Sequence, residues 1–154
     1  MSPERVLLGP GLSAWLVRAD HEPVPDWEPD PPAATLQCDP ALVARLAAVA
    51  RPIGRPGRRF VDGCPVIHHP RGAPIATAAG ADWIAVRSGL PAGALAVTRP
   101  PEPALAERGW VNLDPWGPDT AFARVIDLLR AHVSRAYELA EGELAEGELA
   151  EGDV

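Results

Sequence analysis

The clearest pattern of apolar and polar positions is a series of short apolar runs between residues 58 and 87. The runs are RRFV, CPVIH, APIATA and DWIAVR. Asp62-Gly63, residues 69–72 and Ala79-Gly80 separate them, and these residue types favour tight hairpin turns. The pattern therefore predicts an antiparallel β-meander. Pro65 and Pro74 cannot donate a ladder hydrogen bond, so we expect each near a strand end, at an edge or at a bulge.

Helical periodicity flanks this meander on both sides. Residues 38–52 place Leu42, Val43, Leu46 and Val49 on one face, after Asp39 as N-cap and Pro40 in the first turn. A second helix begins after Asp119 or Thr120. Its predicted buried stripe is Phe122, Val125, Ile126, Leu129, Val133, Ala136 and Tyr137. Between meander and helix, residues 94–98 are compatible with a further strand, residues 100–103 with a loop and residues 109–116 with a last short strand.

Together these elements predict one α+β domain. It has an N-terminal helix, an antiparallel meander of four to six strands and a C-terminal amphipathic helix packed on one sheet face. The core spans residues 38–138. Residues 1–37 form a Pro-rich N-terminal arm, in which residues 5–20 hold a short strand or helical turn and residues 21–32 are extended. Residues 139–154 form an acidic tail.

The tail consists of a repeat, ELAEG, which occurs three times over residues 138–152. A five-residue period turns about 140° per repeat on an α-helix, so its leucines do not share a face. Each glycine also costs about 1 kcal/mol in a helix interior. We expect the C-terminal helix to fray here into a solvated tail, which repeat slippage in the gene would explain and whose function stays open.

The acidic C-terminal segment accounts for the whole net charge of −7. Residues 138–154 hold seven acids and no base, which leaves 14 acids and 14 bases in the rest of the chain. All the bases are arginine, and with 19 prolines and 14 glycines this indicates a bacterium with a GC-rich genome. A neutral core favours neither nucleic acid nor an anionic membrane as partner. The apolar run 6–17 is too short to span a bilayer, and we expect a cytoplasmic protein.

Cys64, His68 and His69 are the candidates for metal or thiol chemistry. On a strand, Cys64 and His68 share one face about 13 Å apart, whereas His69 faces the other way, so a metal site requires a sharp bend. A structural zinc takes about four ligands. The further ligands would have to converge from Cys38, His21 or His132. The alternative is a plain hairpin with a buried thiol and a polar turn, and we expect no cofactor.

Arg51, Arg55, Arg58 and Arg59 lie close together among glycines. Such a loop can bind a phosphate or carboxylate through guanidinium groups and backbone N–H groups. The alternatives are a solvated loop in an arginine-rich composition and a loop onto which the acidic tail folds back.

Two tryptophans are candidate partner contacts. Trp27 lies in the acidic, Pro-rich part of the arm, where docking on the core is favoured over contact with a partner because exposed tryptophan is costly. Trp116 follows the last predicted strand, and core and contact roles stay equally open for it. Trp110 is expected in the core.

The order of helix, meander, GWVNLDPW strand and DLLRAHVSRAYELA helix resembles the small α+β domain shared by TfoX N-terminal domains and YjbR (MmcQ-like) proteins. The matching meander is RFVDGCPVIHHPRGAPIATAAGADWIAVR, and the resemblance covers about residues 40–140. It implies this fold and a regulatory or interaction role, and it implies no active-site residues. Members typically have a more aromatic and glycine-rich first hairpin than Cys64-Pro65 provides.

Short enzyme signatures such as G-x-G-x-x-G, the Walker loop, G-x-S-x-G and H-E-x-x-H do not occur. We therefore expect a non-enzymatic protein-interaction or regulatory module that binds another protein or its own copy. One alternative is a small metal- or thiol-dependent enzyme using Cys64, His68 and His69. Another is nucleic-acid or anion binding through the Arg51–Arg59 loop.

Overall fold

The computed structural model describes residues 10–17, 27–80, 83–89, 103–113 and 122–152. The fold is α+β, with a five-stranded antiparallel sheet in the order β1-β2-β3-β4-β5. In chain order the elements are α1 (Pro10–Val17), α2 (Pro40–Ala50), β1 (Gly57–Val61), β2 (Cys64–His68), β3 (Pro74–Ala79), β4 (Trp83–Val86), α3 (Pro103–Ala106), β5 (Val111–Leu113) and α4 (Phe122–Gly152). The predicted fold class and meander are confirmed.

The local signals for turns and proline positions are also confirmed. Asp62 (φ 50°) and Gly63 (φ 77°) are both left-handed, as a two-residue I′ turn between β1 and β2 requires. Pro65 is the second residue of β2, and its carbonyl accepts a hydrogen bond from Thr77 Oγ1 at 2.9 Å. Pro74 begins β3 opposite the register shift that follows Ile67. Both prolines thus avoid the middle of the hydrogen-bonded ladder.

One face of the sheet is covered by α2 and α4. Asp39 caps α2 through a 2.8 Å hydrogen bond from the Ala41 N–H to its side chain, and Pro40 is the first helical residue. The main core cluster unites apolar side chains from this face with those of the two helices. Its members include Ile67, Ala76, Ile84, Val86, Leu42, Leu46, Val49, Leu129, Val133 and Ala136. The predicted stripe of α4 is thus buried, except that Ile126 and Tyr137 are half-buried and the side chains of Phe122 and Val125 lie outside the described part.

The opposite face is also covered, which the sequence did not predict. Leu12 and Leu16 of α1 are buried with Leu105 of α3 against Trp83 and Trp110 of the sheet side. Within residues 5–20, predicted to hold a short strand or helical turn, Pro10–Val17 form an eight-residue helix. Its Pro10 and Gly11 are not breakers because they occupy the first turn, where proline loses no intrahelical hydrogen bond.

The expectation of a frayed tail is wrong, because α4 continues as a helix to Gly152. Ala140 is buried, and Glu141 and Glu143 contact His69 and Arg87, which holds the first repeat against the core. Alanine, leucine and glutamate also have high helix propensities, which offset the glycines. The predicted boundary after residue 138 lies inside this helix. The possible strand at 94–98 and the cap at Asp119 or Thr120 lie outside the described residues.

Candidate functional site

Trp27 is in contact with two guanidinium groups. The Cζ atom of Arg51 is 5.2 Å from the centre of the indole ring, and that of Arg58 is 4.6 Å from it, which are cation–π distances. The indole is half-buried and packs against the main core cluster. The structure thus shows Trp27 docked on the core.

Arg58 makes the most contacts in this group. It lies on β1 and is only 4% exposed, so its charge needs partners inside the protein. Its Nε and Nη2 atoms donate to the carbonyl of Glu28 at 3.2 and 2.7 Å, and Nη2 also donates to Asp30 Oδ1 at 2.7 Å. Its Cζ atom lies 4.9 Å from the ring centre of Phe60.

The backbone of β1 takes part as well. Because β1 is an edge strand, one side of it has no sheet neighbour. The N–H of Glu28 donates to the carbonyl of Arg58 at 2.8 Å, and the N–H of Phe60 donates to Glu28 Oε2 at 2.9 Å. Residues 27–30, which we call the strap, therefore cover this edge. We call the surface formed by Arg51, Arg58 and Phe60 the β1 groove.

The remaining arginines of the loop lie elsewhere. Arg59 faces the opposite side of the sheet, with its Cζ atom 5.5 Å from the ring centre of Trp15. Arg55 is exposed, and its N–H donates to the hydroxyl of Tyr137 at 3.4 Å. The four predicted ligand-binding arginines thus do not converge on one anion, and two of them bind Trp27.

The sequence carries a signal for this pairing. Glu28 and Asp30 follow Trp27 with negative charge, and the arginine loop is the most basic segment of the chain. Phe60 and the backbone of the strap gave no signal. Their role depends on an edge-strand position that only the folded sheet defines.

The hairpin candidates do not form a metal site. Cys64 and His68 lie at opposite ends of β2, and His68 Nδ1 is 3.0 Å from the carbonyl oxygen of Gly72. His69 lies against the ring of Tyr137 at 4.7 Å and 3.5 Å from a carboxylate oxygen of Glu141. Within the described ranges, no three His, Cys, Asp or Glu side chains gather closely enough to hold a metal ion.

The thiols are not activated for nucleophilic chemistry either. Burial raises the pKa of Cys64 to about 11 and that of Cys38 to about 12, whereas a reactive thiol needs a lowered pKa. His132, a candidate base, is instead within 2.7 Å of Ser88 Oγ through its Nδ1 atom, and burial lowers its pKa. Trp110 is buried as predicted, while Trp116 and His21 lie outside the described residues.

None of the described helices is both long and apolar enough to cross a membrane. No protein-family model matches the chain, and neither a curated protein nor a solved structure does. The resemblance to TfoX N-terminal domains and YjbR proteins stays a prediction from the sequence.

Proposed function

We propose that the chain is a non-enzymatic protein-interaction module that binds an extended, tryptophan-containing acidic segment in the β1 groove. The observation that carries the proposal is the strap itself. It occupies the edge of β1 through backbone hydrogen bonds, through an aromatic side chain in contact with two guanidiniums, and through two carboxylates. In the folded chain, the strap thus occupies a surface that can bind an extended peptide segment.

The contacts divide into those that any peptide can make and those that select a sequence. Backbone bonding to an edge strand is open to every extended segment, whereas side-chain pockets provide specificity. In the β1 groove, the pocket between Arg51 and Arg58 fits an indole. The N–H of Phe60 can donate to a carboxylate on the residue that follows the tryptophan, as it does to Glu28.

The tryptophan should contribute more to binding than the ion pair. The side chain of Asp30 is 69% exposed, so its pair with Arg58 is worth at most about 1 kcal/mol. Full burial of a large apolar side chain contributes about 1.5–3 kcal/mol, of which the half-buried indole gains a part, and each cation–π contact adds about 0.5–2 kcal/mol. The groove therefore selects tryptophan first and negative charge second.

The partner is a protein that offers such a segment. A second copy of this chain offers the same strap, and reciprocal exchange of an identical element is a low-cost route to a dimer. A different protein must carry a tryptophan followed by an acidic residue in an extended stretch. In both cases the resident strap competes with the incoming segment.

The test uses a fluorescently labelled peptide with the sequence of residues 22–36. In the full chain, Trp27→Ala with Glu28→Ala empties the indole and carboxylate positions of the β1 groove and leaves only the backbone and Asp30 contacts of the strap. We call this variant the vacated chain, and binding is followed by fluorescence anisotropy. The vacated chain should bind the peptide at least about tenfold more tightly than the unmodified chain, because no resident indole competes. A peptide carrying Trp27→Ala should not bind.

The matched controls change one arginine each in the vacated chain. Arg58→Gln should abolish peptide binding. Arg130→Gln, which removes an exposed arginine paired with Asp127 at 3.4 Å on α4, should leave it unchanged. Equal, weak binding by the vacated and unmodified chains would refute the proposal, as would binding that depends on peptide charge but not on its tryptophan.

A further inference from the structure

Three polar groups of Glu28 are bound by two residues of β1. Its N–H donates to the carbonyl of Arg58 at 2.8 Å, and its Oε2 atom accepts from the N–H of Phe60 at 2.9 Å. Its own carbonyl oxygen accepts from Nε and Nη2 of Arg58, at 3.2 and 2.7 Å. The edge of β1 thus holds one glutamate residue through both its backbone and its side chain.

Backbone pairing between the strap and β1 ends at Glu28. Pro29 has no N–H to donate, and within the described residues no backbone hydrogen bond joins residues 29–36 to β1. Asp30 reaches Arg58 with its side chain. A bound segment can therefore end at the position of Glu28 and keep its backbone contacts with the edge strand.

The guanidinium of Arg58 is better suited to a carboxylate than to the carbonyl that it holds. Its Nε and Nη2 atoms form the planar fork that binds the two oxygens of a carboxylate side by side, but here both donors share one uncharged oxygen. Arg58 is only 4% exposed, so its charge is largely removed from water. The Asp30 carboxylate also binds it, but this side chain is 69% exposed and offsets the buried charge only weakly.

We propose that the β1 groove binds the C-terminus of a partner protein that ends in Trp-Glu. This inference rests on the proposed function and names its ligand more closely. The terminal carboxylate takes the place of the Glu28 carbonyl, so each donor of the Arg58 fork has its own oxygen. The second oxygen stands where the bound strap has the nitrogen of Pro29. The glutamate side chain accepts from the N–H of Phe60, and the indole takes the place of Trp27.

This assignment selects among the partners that the groove admits. The strap of a second copy brings an internal carbonyl to Arg58, as the resident strap already does. A chain terminus brings a negative charge to the same position, and hydrogen bonds between charged groups are roughly twice as strong as neutral ones. A C-terminal Trp-Glu therefore competes with the resident strap more effectively than an internal segment of the same sequence.

Three fluorescently labelled peptides based on residues 22–28, EPVPDWE, test the assignment on the vacated chain. The first has a free C-terminal carboxylate, and the second has a C-terminal carboxamide. The third is the carboxamide with one more glutamate at its N-terminal end, which restores the net charge of the first. In fluorescence anisotropy the free acid should bind about tenfold more tightly than either carboxamide, because a charged acceptor replaces a neutral group on Arg58.

Two substitutions in the vacated chain are the matched protein controls. Arg58→Lys keeps the positive charge but removes the planar fork, so the free acid should lose most of its advantage over the carboxamides. Arg130→Gln changes an exposed arginine of α4 and should leave the tenfold preference unchanged. The comparison of peptides stands on its own even if Arg58→Lys fails to fold.

Equal binding of the free acid and the charge-matched carboxamide would overturn the assignment, as would an undiminished preference in folded Arg58→Lys. If the peptide of residues 22–36 still binds through its tryptophan in that case, the proposed function stands and only the preference for a chain terminus is wrong. If neither that peptide nor the free acid binds, the proposed function fails and the assignment fails with it.

Discussion

Gly63 occupies a position at which the backbone leaves little choice of side chain. Its φ is +77°, and a Cβ atom there would overlap the carbonyl oxygen of Thr35 and lie 2.9 Å from the Gln37 nitrogen. Gly80 directly follows β3, with φ +59° and no atom within 4 Å of such a Cβ. Both glycines therefore have a left-handed backbone that is unfavourable for other residues. Only at Gly63 would an added side chain also overlap neighbouring atoms.

We predict that Gly63→Ala lowers the free energy of unfolding well beyond Gly80→Ala. The left-handed conformation alone costs about 1–2 kcal/mol for alanine, and the free energy of unfolding of both variants falls by this amount. Displacing the segment at Thr35–Gln37 adds about 1–3 kcal/mol at Gly63 only. Urea unfolding of both variants measures the difference. Equal losses would mean that the contact between this turn and residues 35–37 is absent in solution.

His132 gives a pH dependence whose sign follows from its burial. Burial lowers its pKa from 6.5, so the unfolded chain binds the proton more readily than the folded one. The stability that neutral His132 contributes is present above pH 6.5 and is lost as the pH falls below it. We predict that the free energy of unfolding decreases from pH 7 to pH 5.

The variant His132→Gln isolates this contribution, because it can still bond Ser88 but does not titrate. Its unfolding free energy should fall less steeply over the same interval in denaturant titrations. His69 remains in the variant and contributes to the residual slope, since burial lowers its pKa while Glu141 opposes that shift. An identical slope in both proteins would rule out His132 as the source.

At the scale of elements, the hairpins could be predicted and helix α1 could not. Hairpin signals are local, because Asp62-Gly63 specifies its turn whatever surrounds it. Helix α1 depends on a distant surface. Its apolar face is stabilised by the sheet face that carries Cys64, Val66 and Trp83. The sequence held an indirect sign of this second layer, since β2, β3 and β4 have the sequences CPVIH, PIATAA and WIAV, which are apolar at most positions on both faces, as strands covered on both faces are.

The candidate site shows the same limit. In the β1 groove, two arginines contact Trp27. The sequence alone marks both the arginine loop and this tryptophan as unusual. Their pairing joins positions about thirty residues apart, with Arg58 and Glu28 separated by 30. No local pattern specifies such a contact, and only matched charge hints at it.

Helix α4 supplies a test at this scale. Gly142 lies inside the helix, and a Cβ atom there would meet nothing within 4 Å. Gly142→Ala should therefore raise the free energy of unfolding by up to about 1 kcal/mol through helix propensity alone. Ala131→Gly, at an exposed position of the same helix, calibrates the scale with a loss of similar size. No gain in Gly142→Ala, combined with the expected loss in Ala131→Gly, would show a frayed repeat.

For the whole molecule, the central question is whether the N-terminal arm is an appendage or a layer of the fold. The strap covers the edge of β1, while α1 covers a face of the sheet with two buried leucines. The strap is exposed at Asp30 and bonded mainly through Arg58 and Trp27. Helix α1 is anchored by apolar burial. Under the proposed function, a partner segment displaces only the strap, and α1 keeps the arm on its own molecule.

This arrangement predicts that Leu12→Ala is as costly as a substitution in the main core. Leu12 and Leu46 are 0% and 1% exposed, and replacing a buried leucine by alanine costs about 2–5 kcal/mol. Both variants should lose a similar amount in urea unfolding, while Leu36→Ala, at a half-buried position, should lose less. A loss below about 1 kcal/mol for Leu12→Ala would make α1 a detachable segment. Partner exchange would then release the whole arm and not the strap alone.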